Sequence, residues 1–195
     1  MKLPISLLLF ASAISVSALD LTPSFINTTA DGIVIRRPYF ADGAKKYSVT
    51  LDMETELTAY EDGALFRFTK FNHGEMRLRP SSFSTAVMFG PDTLDRYEEA
   101  ARKLLPQVAE KVTLVEQVKN PWPINHWQSH RFVFTYATST GEVHESITFL
   151  NITPTQQVIV QVYAMAKDFP DVSGRAYDTI RRWNELDPKM VVRGN

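Results

Sequence analysis

The sequence predicts an α+β domain: an antiparallel β-sheet of about six to eight strands with two main packed helices. Three observations predict it. Between Trp127 and Met165 three runs alternate with a period of two, the first placing Phe132, Phe134 and Tyr136 on one face. Ser139-Thr140-Gly141 and Asn151-Ile152-Thr153-Pro154 separate these runs, so an antiparallel meander is the simplest arrangement. Finally, two amphipathic segments, one after Pro91 and one before Pro188, have helical rather than strand spacing.

Taken from its start, Met1-Lys2 supplies a short positive region, and Leu3 to Val16 is almost wholly apolar or small. Val16-Ser17-Ala18 fits a small-x-small cleavage site, which predicts a signal peptide over residues 1–18, cut after Ala18, with Ala13 as the alternative. An uncleaved anchor would need about 20 apolar residues, and this run has about 14. No cysteine is present to carry a lipid. The expected location is periplasmic or extracellular, with no transmembrane segment in the mature chain.

The 195 residues carry a net charge of −1 and include no cysteine, so packing rather than disulfides must hold the fold together. A near-neutral balance argues against a nucleic-acid partner, which needs a concentrated basic surface. The sequons at Asn27 and Asn151 matter only in a source that glycosylates.

Residues 19–46, rich in Thr, Asn, Asp, Gly and Pro, are expected to form an arm with a short edge strand at Ile33-Val34-Ile35, closed by Pro38. Residues 47–188 are expected to be the single domain, and 189–195 a tail. Tyr47, Val49 and Leu51 alternate as a strand, and Glu54 to Gly63 is a charged loop or weak strand. Ala64, Phe66 and Phe68 share a face, Asn72-His73-Gly74 turns the chain, and Glu75 to Ser82 returns with Met76 and Leu78 inward and Arg77 and Arg79 outward. Pro91 opens the first helix, with Asp92 as N-cap, an apolar stripe of Leu94, Tyr97, Ala101, Leu104 and Leu105, and a stop near Pro106. Val112 to Val118 is a strand, followed by the rigid connection Asn120-Pro121-Trp122-Pro123. Asp171 or Ser173 is expected to cap the second helix, in which Tyr177, Ile180 and Trp183 recur every third residue.

This element order over Tyr47 to Leu186, with its terminal Tyr177, Ile180 and Trp183 helix, resembles the family of the photosystem PsbP subunit, the envelope protein DcrB and the Ran-binding import factor. The resemblance implies a non-enzymatic binding or assembly role and brings no catalytic residues with it.

The chemistry-bearing residues point the same way. His126 and His130 would lie about 13 Å apart along a strand, too far to share an ion, and no metal-ligand spacing appears. There is no thiol, no Gly-x-Ser-x-Gly elbow and no glycine-rich phosphate loop, so no catalytic residues, metal or cofactor are expected. The candidate binding residues are Arg67, Arg77, Arg79 and Arg131, which would suit an anion if they shared one sheet face, and Trp122 and Trp127, which would line a groove or cap the core. The expected function is therefore non-catalytic binding of an unknown protein or a small anionic ligand. An envelope hydrolase or metal-dependent enzyme without a recognisable motif is the alternative.

Overall fold

A computed structural model describes residues 19–83, 89–122, 124–152 and 156–191. The expected signal peptide, Pro123, the Thr153-Pro154 turn and most of the expected tail lie outside the described residues. The chain is α+β, as the sequence predicts, but strands dominate and form two antiparallel sheets rather than one.

The larger sheet has seven strands: β4 (Thr55–Tyr60), β5 (Gly63–Phe68), β6 (Glu75–Pro80), β7 (Glu110–Lys119), β8 (Gln128–Thr138), β9 (Gly141–Asn151) and β10 (Gln157–Met165). Their spatial order is β4-β5-β6-β10-β9-β8-β7, so the meander β8-β9-β10 sits beside the β4-β5-β6 meander and joins it through β10 and β6. The smaller sheet has the order β1-β2-β3-β11, from β1 (Asp20–Ala30), β2 (Ile33–Asp42), β3 (Lys45–Ser48) and β11 (Asn184–Glu185). The segment expected to be an arm with one short strand is thus a long hairpin. Asp31 and Gly32 turn it with φ of 51° and 79°, the left-handed pair that a tight hairpin demands.

Both faces of the large sheet are covered, which differs from the one-sided sheet implied by outward arginines. Strand alternation sends Phe132, Phe134, Ile147, Phe149 and Ile159 to one face, where α1 (Pro91–Arg102) buries them under Tyr97 and Ala101. It sends Phe66, Phe68, Met76, Leu78, Val158, Val160 and Val162 to the other, under Val172, Ala176 and Ile180 of α2 (Phe169–Ile180) and under Leu21, Phe40 and Val49 of the small sheet. Strands buried on both faces read as near-continuous apolar runs, as β10 does from Val158 to Val162, Gln161 excepted.

Both helix starts are displaced from expectation. Gly90 rather than Asp92 caps α1, with Pro91 in the first turn and the Gly90 N–H donating to Thr93 Oγ1 at 3.1 Å. The second helix begins at Phe169 after Asp168, because Pro170 is tolerated in a first turn where its missing N–H costs nothing. It ends at Ile180, so Trp183 lies beyond it. There the indole stacks on Phe40 at 5.0 Å and on Tyr47 at 6.0 Å, fastening the small sheet to the core.

Candidate functional site

The strand register decides which arginines meet. Arg77 lies opposite Leu65 and Gln161, and Gln161 lies opposite Ile147, itself opposite Phe132. Arg77 therefore shares the α1 face, together with Arg67 and Arg79 one step away along their strands. Arg131 pairs with Thr148 and so belongs to the opposite face, apart from the other three. None of the four is a free cation. Arg67 and Arg77 both reach Glu75, at 3.5 and 3.1 Å, Arg79 pairs with Glu61, and Arg131 Nε donates to Glu116 at 3.0 Å. Each is charge-paired in this way, although the buried Arg77 Nε has no hydrogen-bond partner among the described residues, and an arriving anion would have to displace a carboxylate.

Between this surface and the apolar area under α1 lies a group that the sequence reading passed over. Glu145 falls in the same alternation as Ile147 and Phe149, and at 1% exposure it is fully buried. The Tyr136 hydroxyl donates to one of its carboxylate oxygens at 2.5 Å and the Gln161 amide donates to the other. The same amide also donates to the Leu104 carbonyl at 3.3 Å, just past the end of α1. Burial pushes the Glu145 carboxyl above the usual carboxylate range, more than the two hydrogen bonds and the Arg77 charge pull it down. Tyr136 and Tyr163 are also pushed up, by burial and then by the Glu145 charge. A buried acid between two tyrosines can hold a proton, but its carboxyl faces no solvent. The nearby cleft of about 280 Å³ is lined by Arg79, Ser81, Leu104 and Ile159, and Glu145 is not part of its wall.

The tryptophans belong to the core rather than to a shared groove. Trp122 is buried and packs on Tyr177 at 5.7 Å, while Trp127 is half-buried and borders a space of about 10 Å³ with Leu78, Val160, Ile180 and Trp183. His130 lies under Phe89 and Phe132 with both ring nitrogens unpartnered among the described residues, and burial lowers its pKa. Among the described residues no three His, Cys, Asp or Glu side chains are grouped to hold a metal.

A second cleft, with an unpaired strand edge in its wall, lies at the small sheet. β3 pairs with β2 only from Asp42 to Tyr39, where the Ser48 hydroxyl donates to the Pro38 carbonyl at 2.7 Å. Beyond that tie Val49 to Leu51 turns into the core, and the β2 edge from Ile33 to Pro38 pairs with β1 alone among the described residues. A notch of about 240 Å³ remains, lined by Phe25, Ile35, Arg36, Arg37 and Pro38 on one side and by Val49, Thr50 and Leu51 on the other. Around it Phe25, Ile33, Val34 and Ile35 are 38% to 65% exposed. The Arg36 guanidinium lies 4.3 Å from the Phe25 ring centre, and neither Arg36 nor Arg37 has a carboxylate partner among the described residues. The sequence signal for this site is the Ile33-Val34-Ile35-Arg36-Arg37 run itself, which reads locally as a simple edge strand because the strand before it is mostly polar.

No family model matches the chain, and no curated protein is significantly similar to it. Among solved structures the chain is similar to the crystal structure of a Pseudomonas aeruginosa protein of unknown function, with 11% identity and a TM-score of 0.40 over 84% of this chain and 96% of that one.

Proposed function

We propose that this protein is an exported, non-catalytic accessory factor of the PsbP/DcrB-like kind, and that it binds a protein partner through the projecting end of the β1–β2 hairpin. One observation carries the reading: four large apolar side chains and two arginines without counter-charge surround a strand edge that the fold leaves half-paired. Export is supported by the Met1 to Ala18 pattern, since the first strand begins at Asp20 and cleavage after Ala18 would leave it whole. Intact-mass measurement on protein from its own source is expected to place the amino terminus at Leu19; a terminus at Met1 would remove the export half of the proposal.

For the binding half, a photo-reactive amino acid at Val34 is expected to give one discrete protein adduct in the source cells, lost in the double variant Arg36→Glu, Arg37→Glu. These surface changes should alter stability by no more than about 0.5 kcal/mol, so loss of the adduct would reflect binding. An adduct unchanged by the charge reversal would count against the hairpin as the docking element. The enzymatic alternative has Glu145 in its favour, but a substrate would first have to expose a carboxyl that is 1% accessible.

A further inference from the structure

Building on the hairpin as docking element, we propose that the partner binds by strand addition: an extended polypeptide segment pairs with the free edge of β2 over Ile33 to Arg37 and enters the notch beside Val49 to Leu51. The backbone argument comes first. A strand paired on one side only has unpaired N–H and C=O groups along its other edge, a template for a further strand. β3 already supplies that strand from Asp42 to Tyr39, so an incoming segment would continue the ladder where β3 departs. Pro38 has no N–H to donate, which ends the template at Arg37.

The side chains then define what the segment must carry. On β2, Ile33, Ile35 and Arg37 point to one face and Val34 and Arg36 to the other. Cross-strand neighbours sit close enough that opposite charges attract and apolar groups pack. A complementary segment therefore has about three apolar residues facing Ile33 to Ile35 and two adjacent acidic residues facing Arg36 and Arg37. A second copy of the hairpin does not meet this requirement. Antiparallel self-pairing about Ile35 would set Arg37 against Ile33 and Arg36 against Val34, which leaves both arginines without an acid. A membrane surface fits less well, because Asp31 stands exposed at the tip of the hairpin and would enter the lipid first.

The test uses the purified protein and a capped peptide, Thr-Glu-Glu-Val-Ile-Val-Thr, whose order sets its acids against Arg37 and Arg36 in the antiparallel direction that β3 begins, labelled for fluorescence anisotropy. Two control peptides differ only in N-methylation, placed on one or the other set of alternate residues, since one set must donate to β2 and the other face away. Strand addition is expected to weaken binding at least tenfold in one N-methylated peptide and to leave the other unchanged. It should also weaken binding at least tenfold in the double variant Arg36→Glu, Arg37→Glu, and hydrogen exchange of β2 amides should slow on binding. Equal affinity for both N-methylated peptides would overturn strand addition while leaving the hairpin a docking surface of another kind. Failure of the peptide to bind, with the Val34 adduct present in cells, would overturn the proposed partner chemistry alone; failure of both would overturn the function as well. Sedimentation showing a dimer abolished by the double variant, or charge-dependent binding to phosphatidylglycerol vesicles without peptide binding, would assign the edge to a second copy or to lipid and overturn the proposal.

Discussion

Replacing Gly63 with alanine is expected to destabilise the protein by about 3 kcal/mol, although only a methyl group is added. A Cβ built at this position would lie 1.9 Å from the Leu78 carbonyl oxygen and 2.9 Å from its carbon, both backbone atoms of the neighbouring strand. Neither can rotate away as a side-chain tip would. Relief requires β5 to move from β6, and that would part Ala64, Phe66 and Phe68 from Met76 and Leu78 in the core shared with α2. Gly32→Ala is the control. Its φ of 79° makes alanine strained, but nothing lies within 4 Å of the added methyl, so the cost should be about 1 kcal/mol. Urea unfolding of both variants measures the difference. Equal losses would show that the β5–β6 approach relaxes freely, and would weaken the view that this pair of strands is a rigid support.

What the sequence made legible follows from where side-chain patterning is dictated by burial. The β8-β9-β10 meander and the β5–β6 hairpin were readable because Phe132, Phe134, Phe66 and Phe68 must all reach a core, and only a period of two delivers them there. The small sheet was not readable in the same way. Its first strand runs through Ser24, Asn27, Thr28 and Thr29, and half of the hairpin stands away from the core, so no apolar alternation marks it. The Asp31-Gly32 turn was the local sign of a hairpin there. The arginines show a different limit. Alternation along β6 correctly put Arg77 and Arg79 on one face, but whether Arg131 joins them depends on register across four strands, which no local pattern contains. That face is also not plain solvent surface: α1 covers Phe132, Phe134, Ile147, Phe149 and Ile159 there, and the arginines lie on the neighbouring strands β5 and β6. Trp183 was placed in the second helix by a three-residue period that continues past the helix end, where stacking on Phe40 decides its position.

Glu145 offers the second large effect, and its sign depends on pH and on the substitution chosen. Glu145→Ala is expected to cost about 3 kcal/mol, because it leaves the buried Tyr136 hydroxyl without its acceptor and the Gln161 amide with the Leu104 carbonyl alone. Glu145→Gln keeps an acceptor for Tyr136, and the Gln161 carbonyl oxygen, unpartnered among the described residues, can accept from the new amide. Its effect at low pH should therefore be small. The difference lies in the proton. Because the folded protein holds Glu145 above its ordinary pKa, the folded state binds this proton more tightly than the unfolded chain does. The associated stability is fully present below the unfolded value of about 4.3 and is lost as pH rises through the folded value. Glu145→Gln has no such loss, so it should overtake the wild type as pH rises and be the more stable protein at pH 8. His130 must be kept out of the comparison, since its lowered pKa makes stability rise with pH below about 6.5. Subtracting the two proteins' urea-derived stabilities at each pH from 4 to 8 cancels that term. Parallel curves would mean that the carboxyl ionises as it would in water, and that the cleft beside Leu104 opens far enough to hydrate it. A diverging pair would identify Glu145 as a closed, neutral acid whose place is in the core, and would leave the β2 edge as the part of the molecule built to meet something else.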